Sequence, residues 1–203
     1  MEIAITLLLL CTALFAQQEG TLTDTRDGKI YKTVKIGEQT WLAENLNYEV
    51  SGSKCYDNKP DYCKKYGRLY NWNTAKTACP KSWHLPSNAE WEVLTATVGG
   101  NNIAGKYLKA VNGWNDYKGK SGNGNDKFGF AALPGGDCNQ NDYFNHIGNF
   151  GYWWSSSESN SNDAYFRSMG DLDDRVYCII SDKDELFSVR CLQNASPPKG
   201  TAK

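Results

Sequence analysis

Several chemistries are excluded by what this chain lacks. His84 and His146 are its only imidazoles and no Cys-x-x-Cys pair occurs, so zinc has no ligand set of familiar spacing. Ser155-Ser156-Ser157 carries no Gly-x-Ser-x-Gly elbow, and a triad would have to recruit one of those two histidines. His84, between Trp83 and Leu85 just ahead of a helix start, reads as a packed histidine hydrogen-bonded to backbone. The glycines from Gly119 to Gly129 precede a strand-like run rather than open a helix, which excludes a phosphate-binding loop. Basic runs are missing as well. With 22 Lys and Arg against 23 Asp and Glu, the near-neutral balance argues against nucleic acid or an anionic membrane as partner.

The apolar run 7–15 is too short to span a bilayer as a helix and sits where a secretory h-region belongs. Residues 1–18 are therefore assigned to a signal peptide, 19–194 to a single domain and 195–203 to a flexible tail, with no transmembrane span in the mature form. Cys11 follows Leu8-Leu9-Leu10 and lacks the small residues of a lipoprotein cleavage site. Of the 7 cysteines, those left after cleavage are Cys55, Cys63, Cys79, Cys138, Cys178 and Cys191. An even number in an exported chain favours a disulfide framework, although six cysteines allow about 15 pairings. Spacing suggests Cys55 with Cys63, a staple over Asp57-Asn58-Lys59-Pro60.

Along the chain, 29–36 and 39–46 read as strands joined by Gly37-Glu38, with glycine where a type II′ hairpin needs it. The aromatic stretch 66–73 leads into a short helix, 74–78, stopped by Pro80. Ser87 and Glu90 form a capping box, Pro86 and Trp91 occupy the staple positions, and Trp91, Leu94 and Val98 share one face before Gly99 ends the helix. A second helix is expected over 103–111, and a Gly/Asn-rich loop over 112–126. Beyond it 128–133 reads as a buried strand, and 152–156, 164–168, 176–181 and 187–192 as an antiparallel meander. Helices early and strands late give an α+β class: two main helices packed on a small twisted antiparallel sheet with long loops.

The ordered blocks Glu38-Gln39-Thr40-Trp41-Leu42-Ala43-Glu44-Asn45-Leu46, Tyr66-Gly67-Arg68-Leu69-Tyr70, Cys79-Pro80 with Trp83-His84-Leu85-Pro86 and Glu90-Trp91, Phe128-Gly129-Phe130 with Leu133-Pro134-Gly135-Gly136, Trp154-Ser155-Ser156 and Ser188-Val189-Arg190-Cys191 resemble the major paralogous domain of Fibrobacter, the FISUMP domain, over residues 24–194. That family occurs in exported bacterial proteins and has no established activity. More distantly it is similar to the formylglycine-generating, sulfatase-modifying enzymes, whose fold is a variant of the C-type lectin fold. The resemblance implies a C-type lectin-like domain in which the first helix is tied to the last strand, pairing Cys79 with Cys191 and leaving Cys138 for Cys178. Closing a loop of roughly 110 residues is worth about 4.7 kcal/mol, against about 2.5 for the Cys55 loop. The enzymes' reactive cysteine pair has no counterpart, since Cys178 stands alone and Cys191 is the expected structural partner. Trp114-Asn115-Asp116 lies far upstream of Cys191 without the acidic-Pro-Asn loop of calcium-dependent lectins, so that sugar site is not carried over either.

Two kinds of candidate site remain. Trp114, Tyr143, Phe144, Tyr152 and Trp153 lie in or beside polar loops, where rings stack on sugar faces and Asn or Asp takes hydroxyls. Trp83, Trp91, Trp154 and Phe130 read as core instead. The oxygen-rich stretches Asp137-Asn139-Asn141-Asp142 and Asp171-Asp173-Asp174 are candidates for calcium, with solvated turns as the plainer alternative. The function expected is that of an exported, non-catalytic binding module at the cell surface, with no cofactor beyond a possible calcium and with polysaccharide or an envelope protein as partner. The alternatives are a structural envelope domain and a divergent relative of the sulfatase-modifying enzymes.

Overall fold

A computed structural model describes residues 18–195. The stretch assigned to a signal peptide, with Cys11, and most of the stretch assigned to a tail lie outside these, apart from Gln18, which begins the first strand. In chain order the elements are β1 (Gln18–Thr23), β2 (Ile30–Ile36), β3 (Gln39–Leu42), β4 (Ser53–Lys54), α1 (Pro60–Tyr66), β5 (Leu69–Tyr70), α2 (Trp72–Ala78), β6 (Trp83–His84), α3 (Asn88–Thr97), α4 (Ala104–Leu108), β7 (Asp137–Cys138), β8 (Phe144–Asn145), β9 (Phe150–Glu158), β10 (Asp163–Gly170), β11 (Tyr177–Asp182), β12 (Phe187–Ser188) and β13 (Leu192–Gln193). The class is α+β.

The single sheet expected from the sequence is in fact two, with an extra ribbon. A five-stranded sheet runs β1-β2-β3-β13-β6, a six-stranded one β11-β10-β9-β12-β5-β4, and β7 pairs with β8. The stretch 187–192, expected as one strand, is what joins them. Its first part, β12, pairs with β5 and β9, and its last part, β13, pairs with β3 and β6. Between them the carbonyls of Val189 and Cys191 accept from Leu46 and Leu42 N–H, so the crossing leaves them satisfied.

The β2–β3 hairpin forms as expected, with Gly37 at φ 60 and Gln39 opposite Ile36. In β2 Tyr31 and Thr33 are buried on one face and Val34 and Ile36 on the other, with Lys32 and Lys35 left to solvent, so the covered face changes along the strand. Strand β9 is covered on both faces from Trp153 to Ser155. Consecutive side chains point to opposite sides, so Trp153 enters the cluster of Trp41, Trp91 and Phe130, while Trp154 enters that of Tyr70, Trp72 and Phe187.

Ser87 and Glu90 close the capping box that starts α3. Burial alone would raise the Glu90 carboxyl, but bonds from the Ser87 N–H, the Ser87 hydroxyl and His84 outweigh it and hold the group below its ordinary value. Its stabilisation is therefore present above pH 4.5 and fades as pH falls through the depressed folded value. Urea unfolding followed against pH should show Glu90→Gln flattening this acid limb, and Ser87→Ala costing about 1 kcal/mol at neutral pH. An unchanged acid limb in the Gln variant would refute the assignment. His84 also departs from expectation, pairing through Nε2 with Glu90 and through Nδ1 with Asn194 rather than with backbone.

Other departures have local causes. Pro60 at the first helical position, which needs no N–H, starts α1 where a plain loop was expected. Helix α2 starts at Trp72 because Asn71 caps the Thr74 N–H. The 103–111 helix shrinks to α4: Lys109 turns extended, and Ala110 N–H bonds to Ala132 O. The expected strand 128–133 is irregular, with Ala131 at φ 51, because side chains hold its backbone; Asp126 takes Ala131 N–H and Arg190 takes Phe130 O.

The Cys55–Cys63 and Cys79–Cys191 bridges form. The Cys138–Cys178 bridge does not; both are free. Cys138 pairs with Leu186 beside β12, whereas Cys178 lies on β11 with β10 and β9 between. Three strand spacings of about 4.8 Å exceed the roughly 7 Å that a disulfide can bridge.

Candidate functional site

The β7–β8 ribbon and the start of β9 bring together the only sequence-derived candidates that keep a free face. Asn139 shapes the turn of the ribbon: its Oδ1 accepts from Asn141 N–H at 2.9 Å and Tyr143 N–H at 3.1 Å. Tyr143 is thereby held outward, 67% exposed. Phe144 follows, half-buried against Tyr56 with ring centres 5.2 Å apart. His146, at φ 64, sets its Nδ1 2.7 Å from Asp137 Oδ1. Its ring stands edge-on to Phe150 and Tyr152, 5.6 and 5.9 Å away. Phe150 and Tyr152 are two apart in β9, so they share a face, and their rings stack at 5.8 Å and 6°.

His146, Phe150 and Tyr152 form one partly exposed aromatic patch, while Tyr143 stands exposed on the neighbouring ribbon among the amides of Asn139, Asn141 and Asn145, and Phe144, the next residue, turns to the other side against Tyr56. Burial raises the Tyr152 phenol, with the Asp137 charge adding to it, so the hydroxyl stays protonated at neutral pH. Burial likewise raises Asp137, partly offset by the His146 bond. The surface can stack on a flat apolar ring face and exchange hydrogen bonds with hydroxyls around it.

The five aromatic candidates divide. Tyr143, Phe144 and Tyr152 each keep some exposure, but Trp114 and Trp153 are buried and offer no face to a ligand. The Trp114 indole donates to Ala132 O at 3.0 Å, and that of Trp153 to Asn45 Oδ1 at 2.8 Å. From Trp153 to Ser155 the strand β9 is buried on both faces, which the Trp153-Trp154 pair does not reveal by itself.

The acidic candidates are committed to protein partners. Asp137 bonds to His146 and Asp142 to Lys54. Asp171 accepts from Asn149 Nδ2 at 2.6 Å, and Asp173 from the Tyr177 hydroxyl at 2.6 Å. The cation of the 171–174 loop is the buried Lys109 ammonium, which donates to the Gly170 and Asp173 carbonyls at 2.9 Å each. Burial lowers the Lys109 amine against the raising effect of Asp174, Asp173 and Asp171. Among the described residues no group of three or more His, Cys, Asp or Glu side chains is placed to hold a metal ion, and no helix is long and apolar enough to cross a membrane.

A network the sequence reading missed lies beneath. Asn45 Oδ1 accepts from Trp153 Nε1 and from Arg190 Nε and Nη2, while Asn45 Nδ2 donates to Tyr66 O and Ser188 Oγ. Arg190 is fully buried without a carboxylate partner; its Nη1 donates to the Leu42 and Phe130 carbonyls and its guanidinium lies 4.4 Å over the Phe130 ring. Burial pushes Arg190 down to about 9, which keeps it charged at neutral pH. Gly67, at φ +77, passes so close that a Cβ would come within 2.7 Å of Asn45 Cβ. The signal was an arginine between Val189 and Cys191, one residue from each.

Residues 34–193 match the family model described as the Fibrobacter succinogenes major domain. The matched span covers the Asn45–Arg190 network and the aromatic surface together. No curated protein and no solved structure matches the chain.

Proposed function

The chain belongs to the Fibrobacter succinogenes major domain family, and from that premise we propose that it is an exported, non-catalytic, lectin-like binding module acting at the bacterial cell surface. Its ligand is a polysaccharide, taken on the surface formed by Tyr143, Phe150 and Tyr152. The supporting observation is that Tyr143 stays exposed beside Asn139, Asn141 and Asn145 on a ribbon fixed by hydrogen bonds, while the stacked Phe150 and Tyr152 rings of β9 stay partly exposed. The lectin-like comparison is supported by the Cys79–Cys191 bridge, which ties the end of α2 to the last strand crossing.

A divergent enzyme related to the sulfatase-modifying factors needs two thiols within reach of each other. Against it, Cys138 is sealed among Tyr56, Leu69 and Leu186, and burial pushes its thiol up to about 11. Polysaccharide affinity gels and calorimetry test the binding reading. Tyr143→Ala and Tyr152→Ala should each weaken binding roughly fivefold, about 1 kcal/mol. Retention on no plant or bacterial polysaccharide, with envelope proteins retained instead, would replace the glycan by a protein partner or a scaffolding role.

A further inference from the structure

We propose that the free edge of β11 is an interface with a second copy of this chain, two such edges meeting about a two-fold axis and closed by a disulfide between their Cys178 residues.

Four strands end the two main sheets, and three of them are protected. β4 and β6 are two residues long, and β1 carries Glu19 and Gly20 within it. β11 is not. Its stretch Val176–Ser181 reads Val-Tyr-Cys-Ile-Ile-Ser with no charge, no proline and no glycine, and the strand's one charge, Asp182, stands at its end. Tyr177, Ile179 and Ile180 are 39%, 42% and 49% exposed. Only Val176 N–H is covered, by the Asn101 carbonyl. The uncharged, β-branched and aromatic stretch is a template for another strand, and pairing with its like sets no charges opposite one another within 176–180.

An independent observation selects the second copy. Among the described residues the unpaired cysteines are Cys138, buried, and Cys178, exposed in the middle of this edge. Cys178 Sγ accepts from Arg167 Nη1 at 2.7 Å. Arg167 is buried, its other acceptors are the side chain and carbonyl of Asn88, and no carboxylate pairs with it among the described residues. A positive charge therefore stands beside the one exposed sulfur. Antiparallel pairing about a two-fold through Cys178 sets it opposite itself, with Tyr177 opposite Ile179 of the second copy. Directly opposed residues have Cα atoms about 4.5 or 5.5 Å apart, both within the roughly 4.4–6.8 Å that a disulfide spans. In the reaction, one Cys178 thiolate attacks a disulfide-bearing oxidant of the class that closes the two intrachain bridges. The second Cys178 then displaces that carrier, so two thiols lose two protons and two electrons and the oxidant leaves as a dithiol.

The test uses the full chain, oxidised, with sedimentation, non-reducing electrophoresis and peptide mapping. A covalent dimer should appear, be lost on reduction, and yield a Cys178–Cys178 peptide. Cys178→Ser should abolish it and Cys138→Ala, which keeps the buried site apolar, leave it intact. With the thiol retained, Ile180→Lys should lower the dimer yield, whereas Val93→Lys, at an exposed apolar position on α3, should not. A monomer whose Cys178 alkylates freely, a Cys178 capped by a small thiol, a bridge through Cys11 or Cys138, or a dimer indifferent to Ile180→Lys would each overturn the proposal.

Discussion

Asn45→Ala is expected to cost about 3–5 kcal/mol, enough to unfold much of the population of a domain whose whole stability is about 5–15 kcal/mol. The reason is the identity of what is left behind. Asn45 Oδ1 is the acceptor for both Nε and Nη2 of Arg190, at 3.1 and 2.8 Å, and for Trp153 Nε1 at 2.8 Å. All three donors are buried, and one side chain carries a full charge that no carboxylate bonds directly among the described residues, with Asp126 and Glu44 acting on it only through space. Deleting the amide leaves those donors facing a cavity, and an unsatisfied buried charge is penalised far more than a lost hydrogen bond between neutral groups. Arg190→Met in the Asn45→Ala background should recover part of the loss, because the charge that lacks an acceptor is removed with its demand. Urea unfolding followed by tryptophan fluorescence measures all three variants. A cost under about 1 kcal/mol for Asn45→Ala would show that solvent or a rearranged side chain replaces the amide, and that the network is not what holds the two sheets together.

The second large effect is expected from the long bridge. Cys79→Ser with Cys191→Ser should cost about 4.7 kcal/mol, against about 2.5 for Cys55→Ser with Cys63→Ser. The sequence separations are 112 and 8 residues, so the unfolded chain regains far more freedom when the first is cut. Position adds to length. Cys191 is fully buried where the chain passes from β12 in one sheet to β13 in the other, and its partner follows α2. Denaturation midpoints of the two double variants decide the matter. Equal losses, or a larger loss from the short loop, would mean that packing of the sheets already restrains the 79–191 segment.

The capping box, the Gly37 hairpin and the antiparallel run β9-β10-β11 were legible because their causes are local. Ser87 needs only Glu90 three residues on, and a hairpin needs only its turn. Where 128–133 was misread, the apolar run was present, but Asp126 just before it and Arg190 from far along the chain occupy its backbone groups. The candidate surface was half legible. Tyr143 and Phe144 follow from the polar ribbon around them, while Phe150 and His146 join only because β9 alternates and His146 turns back on Asp137.

Composition and motif order alone determined the α+β class, the family and the short Cys55–Cys63 staple, since each depends on residue type or on spacing within a few positions. Only the tertiary structure decided that Trp114 and Trp153 are core, that Cys138 and Cys178 stay apart, and that Asn45 holds Arg190. Those outcomes depend on which strands lie side by side, and a side chain's exposure or partner is set by neighbours tens to more than a hundred residues away, which periodicity along one strand does not encode.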